Sequence, residues 1–128
     1  MTEGKRRIVV AEDDPDVLDV LRLMLEEGGY AVEAVTNAGA VRNLPNGRPD
    51  LLLLDIWMSG WDGRDLCRDL KSDEGTRGIP ILLCSAHRDG ERIAREAGAN
   101  GFIAKPFDMD TLLLTIARHL ESRSAPRR

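Results

Sequence analysis

Leu51-Leu52-Leu53-Leu54-Asp55 is an unbroken apolar run closed by a carboxylate. A strand with one wet face alternates apolar and polar side chains, so a run without alternation belongs to a central parallel strand covered on both faces. Pro45 to Pro49 is a breaker-rich loop ahead of it, and a polar, glycine-rich loop follows. A parallel strand needs a crossover to its neighbour, usually a helix, so the flanking sequence should alternate strand-like and helix-like segments.

It does so along the whole chain. Ile8 to Ala11 is a short apolar run rich in β-branched residues. Asp14 then stands as a helix cap and Pro15 fits the first helical turn. Val17, Leu18, Leu21, Met24 and Leu25 recur at helical spacing until Gly28-Gly29 stops the helix. Tyr30 to Val35 reads as a second strand and Ala38 to Leu44 as a short helix. Arg64 to Lys71 forms a helix with Leu66, Cys67 and Leu70 facing inward. Ile79 to Cys84 is a fourth strand, Arg88 to Ala97 a helix stopped by Gly98, and Phe102 to Ala104 a short fifth strand. The last helix starts near Asp108 and carries Met109, Leu112, Leu113, Ile116 and Leu120 on one face. Five βα units of this length imply an α/β fold: a parallel sheet between two helical layers.

With 128 residues, the chain is expected to form one domain, residues 1–128, with a core from about 7 to 120 and a flexible tail over 121–128. Apolar residues make up 42% and charged residues 31%, a globular balance. No apolar run approaches the roughly 20 residues that cross a bilayer, and the N-terminus lacks a signal-like stretch. The expectation is therefore a cytoplasmic protein without membrane insertion. A net charge of -4 argues against nucleic acid as a direct partner, and the basic residues near the two ends read as solvated. Cys67 and Cys84 are too few for a disulfide framework; both read as small reduced hydrophobes.

Ligands of parallel α/β sheets bind beyond the carboxyl ends of the strands. Glu12, Asp13 and Asp14 follow the first strand, Asp55 ends the third, Ser85 follows the fourth and Lys105 the fifth. Carboxylates gathered at one sheet end repel one another and call for a cation. A hard divalent ion with oxygen ligands, Mg²⁺ or Mn²⁺, suits them. With Lys105 it would also neutralise an incoming phosphoryl group and make a carboxylate nucleophile workable.

These segments resemble the receiver domain of two-component response regulators, from about Arg7 to Leu120. The resemblance is carried by Val9-Val10-Ala11-Glu12-Asp13-Asp14, by Leu53-Leu54-Asp55 with the loop through Gly63, by Pro80 to Ala86, and by Gly98 to Phe107. It implies a three-layer α/β/α, flavodoxin-like fold with five parallel strands in the order 2-1-3-4-5, most like the single-domain chemotaxis regulators. It implies further that Asp55 is the phospho-acceptor and that Glu12, Asp13, Asp55 and the backbone carbonyl of Trp57 serve the metal, Glu12 mainly through water. Ser85 would be the switch hydroxyl, Lys105 the phosphate-contacting lysine and Phe102 the aromatic that moves between outward and inward positions. The Lys105-Pro106 bond would be cis. Expected partners are a histidine kinase or histidine phosphotransfer protein upstream and a protein effector downstream, with homodimerisation on phosphorylation as a further option. Catalysis would be confined to the domain's own phosphorylation and autodephosphorylation.

Three features depart from the family pattern. Ser59 replaces a usual proline, Trp57 is bulky beside the acceptor, and the stretch from Ser85 to Gly98 is about two residues short of the chemotaxis regulators. Trp57 and His87, which lies two residues past Ser85, are therefore candidate tuning residues, whereas His119 reads as a surface residue. A flavodoxin-type electron carrier would need a phosphate-binding loop where Glu12 to Asp14 stand. A phosphatase of the haloacid dehalogenase type would need an acid at Trp57. A receiver-like binding module that works without phosphorylation is the alternative the residues leave open.

Overall fold

The computed structural model describes residues 4–43, 47–58 and 60–124. The elements run β1 (Arg7–Ala11), α1 (Pro15–Glu27), β2 (Ala31–Val35), α2 (Ala38–Arg42), β3 (Leu51–Asp55), β4 (Trp57–Met58) and β5 (Trp61–Asp62). There follow α3 (Gly63–Ser72), β6 (Ile81–Ser85), α4 (Gly90–Glu96), β7 (Gly101–Ala104) and α5 (Met109–Ser124). One five-stranded parallel sheet has the order β2-β1-β3-β6-β7. Setting aside the antiparallel β4/β5 pair, which forms its own small ribbon, this is the expected 2-1-3-4-5 order.

The leucine run shows why alternation is absent. Leu52 and Leu54 point to one face with Val9, Ala11, Ile81 and Leu83, where α2, α3 and α4 bring Val41, Leu66, Cys67, Leu70, Ile93 and Ala94. Leu51 and Leu53 point to the other with Ile8, Val10, Leu82 and Ile103, where α1 and α5 bring Leu18, Leu21, Leu25, Leu112, Ile116 and Leu120. Period-2 geometry still sorts the side chains; both destinations happen to be dry. Cys67 and Cys84 are free and buried among these residues, and burial pushes their thiols up to about 11 and about 12, so both remain protonated.

Local signals held at α1. The Asp14 carboxylate accepts from the backbone N–H of Asp16 and Val17, and Gly29 takes the left-handed φ of 95° just past the helix. Elsewhere the boundaries moved. α3 begins at Gly63, capped by Asp62, and α4 begins at Gly90 rather than Arg88. β6 runs Ile81–Ser85, because Ile79 still closes the preceding turn through its N–H to Thr76. α2 ends at Arg42, and Leu44 lies outside the described residues. α5 extends to Ser124, past the expected core limit near Leu120, and residues 125–128 lie outside the described set. Arg7 is not a solvated end. It lies in β1, with its guanidinium bound to Glu33 at 3.3 Å and to the Arg48 carbonyl at 3.0 Å.

Candidate phosphorylation site

The register brings the chemistry to one end of the sheet. Ala11 pairs with Leu54, Asp55 with Cys84, and Ser85 with Ala104, so Glu12, Asp55, Ser85 and Lys105 leave adjacent strands side by side. Glu12 and Ser85 are each 2% exposed and Asp55 is 7% exposed. Burying carboxylates at this level is costly unless each is paired.

The pairing is explicit. The Lys105 ammonium donates to Glu12 Oε1 at 2.9 Å and lies 3.4 Å from Asp55 Oδ2. Glu12 Oε2 accepts from the backbone N–H of Asp14 at 3.1 Å. Glu12 thus bridges the lysine and the loop that starts α1, and Asp14 is the helix cap. Burial and then the neighbouring Glu12 charge push the Asp55 carboxyl up to about 6, against the opposing pull of Lys105 and of the Trp57 backbone N–H. Burial alone would lower the Lys105 ammonium, but its hydrogen bond to Glu12 and the charge of Asp55 outweigh that, and the net shift is upward.

Ligand oxygens of Glu12, Asp13 and Asp55 all lie within 4.8 Å of one another. Three oxygen donors, one of them made reluctant to ionise by burial and a neighbouring carboxylate, match a hard divalent cation. The residues present fit Mg²⁺.

Ser85 Oγ accepts from the His87 N–H at 3.0 Å, and His87 Nδ1 in turn accepts from the Asp89 N–H at 3.0 Å. That second bond fixes His87 as the Nε2–H tautomer whenever it is neutral. α4 therefore begins after a Ser85–His87–Asp89 turn. Phe102 is half-buried, with its ring lying where a side chain at Gly90 would have to be. The Lys105-Pro106 peptide is cis.

His119 is not simply a surface residue. It is half-buried, with Nδ1 2.8 Å from the Thr115 carbonyl and Nε2 3.1 Å from that of Asn100. Ser59 lies outside the described residues. The sequence reading also missed Arg64, whose guanidinium grips Asp62 and lies over the Trp57 ring, 4.7 Å from its centroid. The Asp62-Gly63-Arg64 order was the available signal, since an aspartate before a helix is a cap and its i+2 arginine can turn back onto it.

The response regulator receiver domain family matches residues 8–117. The chain belongs to that family. Response regulator MprA of Mycobacterium sp. strain KMS is 40% identical over 124 residues, a match covering 94% of this chain and 52% of that protein. The DNA-binding response regulator MtrA of Mycolicibacterium smegmatis is 33% identical over 126 residues, covering 94% and 53%. The chain spans about half the length of the curated relatives it matches. Among solved structures, the receiver domain of a histidine kinase from Syntrophus aciditrophicus superposes with a TM-score of 0.85 at 36% identity, covering 95% of each chain. The receiver domain of sensor histidine kinase PA1611 from Pseudomonas aeruginosa PAO1 gives 0.83 at 31% identity, covering 91% of this chain and 98% of that one. That structure holds a magnesium ion coordinated in its active site cleft.

The chain is accordingly a receiver domain of the two-component response-regulator kind. No helix among its described residues is long and apolar enough to cross a membrane.

Proposed function

We propose that this receiver accepts a phosphoryl group on Asp55 from a phosphohistidine of a kinase or phosphotransfer protein, in a reaction that needs Mg²⁺ or Mn²⁺. A carboxylate oxygen of Asp55 bonds to phosphorus as the phosphorus–nitrogen bond to the donor imidazole breaks, and that imidazole takes up a proton. Asp13, Asp55, the Trp57 carbonyl and, through water, Glu12 would hold the ion, which neutralises phosphoryl charge when bound. The observation that carries the reading is the placement of buried Asp55 between Glu12 and Lys105 at the sheet's carboxyl end. Once Asp55 is an acyl phosphate, Lys105 exchanges a carboxylate partner for a phosphoryl oxygen. Ser85, one strand away, supplies a hydroxyl donor.

The donor is a cytoplasmic protein that docks beside Lys105, where Val17, Val20, Met24, Pro106 and Phe107 line an apolar groove between α1 and the β7–α5 loop. Output goes to a protein effector, or to a second copy on phosphorylation, through the face formed by α4 and β7. There a movement of Ser85 would be passed to Phe102, with His87 setting the start of α4. The domain binds no nucleic acid directly.

Incubation with Mg²⁺ and acetyl phosphate, followed by intact mass, should add one phosphoryl group to the wild type and none to Asp55→Asn. Full labelling of Asp55→Asn would overturn the assignment. No labelling of the wild type would favour a binding module that acts without phosphorylation.

A further inference from the structure

The rim of the acidic pocket carries a cluster that phosphoryl transfer itself does not require. In the β4/β5 ribbon Trp57 pairs with Asp62. Arg64 grips that carboxylate as a fork, Nε 3.0 Å from Oδ1 and Nη2 2.6 Å from Oδ2, while its backbone N–H bonds Oδ1 at 2.9 Å. These bonds hold the Asp62 carboxyl below its ordinary range in spite of its partial burial. The guanidinium so fixed lies over the Trp57 ring, 4.7 Å from its centroid.

The bracket is anchored to the acceptor's own backbone. The Gly63 N–H donates to the Ile56 carbonyl at 2.6 Å, and a Cβ at Gly63 would collide with the Asp55 carbonyl oxygen. Trp57 stands two residues past Asp55, and its backbone N–H helps to lower the Asp55 carboxyl, so the indole springs from the edge of the pocket. At 47% exposure that ring stands about half in solvent. A free indole would sample several rotamers, whereas one stacked under a forked arginine keeps one.

We propose that Arg64, held by Asp62, is a positioning residue that fixes the Trp57 indole at the rim and so slows the approach of water to a phosphoryl group on Asp55. The inference rests on the reading of Asp55 as acceptor. In the step concerned, water oxygen bonds to phosphorus and the acyl phosphorus–oxygen bond breaks. Asp55 returns as a carboxylate, and the water's protons leave with inorganic phosphate and bulk solvent. The attack must be in line, so an apolar plate held at the mouth narrows the productive approaches.

The test uses the full chain with Trp61→Phe, leaving Trp57 as the reporter. Without any phosphodonor, Arg64→Gln and Asp62→Asn should both make Trp57 more readily quenched by acrylamide. Asn at position 62 remains a good helix cap, which guards against a mere loss of α3. After loading with acetyl phosphate and Mg²⁺ and removal of the donor, both variants should lose the phosphoryl group about two to five times faster. Arg64→Lys, which keeps a cation but not the fork, should fall between. Trp57→Leu should be equally fast, and adding Arg64→Gln to it should change nothing. Unchanged quenching overturns the clamp. An undiminished Arg64 effect in the Trp57→Leu background would mean that Arg64 acts by charge, which also overturns the proposal. Failure of the parent protein to gain mass would strike the acceptor reading and the lifetime role together, while quenching would still judge the clamp.

Discussion

Lys105 answers two buried carboxylates with one charge, and that imbalance adds to the cost of burying them. Glu12 holds the shorter bond, 2.9 Å against 3.4 Å, and leaves Asp55 the under-compensated partner. Burial first, and then the neighbouring Glu12 charge, push its carboxyl up to about 6 from an ordinary 3.8. The folded state therefore binds this proton more tightly than the unfolded chain does. The stability so gained is fully present below the unfolded value and is lost as pH rises through the folded one. At pH 7 without divalent cation, Asp55→Asn should be more stable than wild type by about 1–3 kcal/mol, with the two converging below about pH 4. Urea denaturation in chelator at pH 4, 5.5 and 7 measures this, and Mg²⁺ should stabilise the wild type more than the variant. Equal stability at pH 7 would mean that Lys105 fully compensates both acids. Asp55, Asp13 and Lys105 were legible because each stands at or just past the carboxyl end of a strand, and strand ends meet in a parallel sheet. The Glu12–Lys105 pair was not, since 93 residues separate its partners and only register joins them.

Short elements explain most of what the sequence concealed. β4 and β5 have two residues each, too few for any periodicity, and they show only in the backbone pairing of Trp57 with Asp62 and Met58 with Trp61. α4 starts late because its leading turn is built from Ser85 Oγ and His87 Nδ1, acceptors that no capping pattern anticipates. The long elements were readable: α1 has its cap, stripe and stop in order, and the leucine run could only be a doubly covered strand. Gly63 is the most constrained position between these classes. Its backbone lies against Asp55 and Ile56, so an added Cβ meets main chain rather than a yielding side chain. Gly63→Ala should destabilise the domain by about 1–3 kcal/mol and slow phosphoryl uptake, because α3 or the acceptor loop must shift. Chemical denaturation and intact mass check the two effects. A variant of wild-type stability would show that the α3 terminus can slide freely.

At the scale of the molecule, the sheet separates two dry layers, and the acidic pocket opens at the end where both meet. A change at Asp55 can reach a surface only through what borders the pocket, and β6 and β7 border it on one side. Ser85 Oγ holds the turn before α4 by accepting from the His87 N–H. If a phosphoryl group on Asp55 recruits the Ser85 hydroxyl, that turn loosens and α4 can move relative to Phe102. The Phe102 ring in turn rests where a Gly90 side chain would stand, so a shift at the start of α4 changes the space open to Phe102. Two substitutions separate cause from consequence. Ser85→Ala removes the acceptor of the His87 N–H, at about 1 kcal/mol, and should still take up a phosphoryl group. Its α4 amides should then show little change in hydrogen exchange on phosphorylation, whereas wild-type amides should change by about 5-fold or more. Gly90→Ala should displace the Phe102 ring at modest cost, since the clash is with the far end of a side chain. It should bring much of the phosphorylated exchange pattern to the unphosphorylated protein. Should Ser85→Ala respond to phosphorylation as fully as wild type, the signal leaves the pocket by another route, and the path along β1 and the Glu12–Asp14 loop into α1 becomes the one to test.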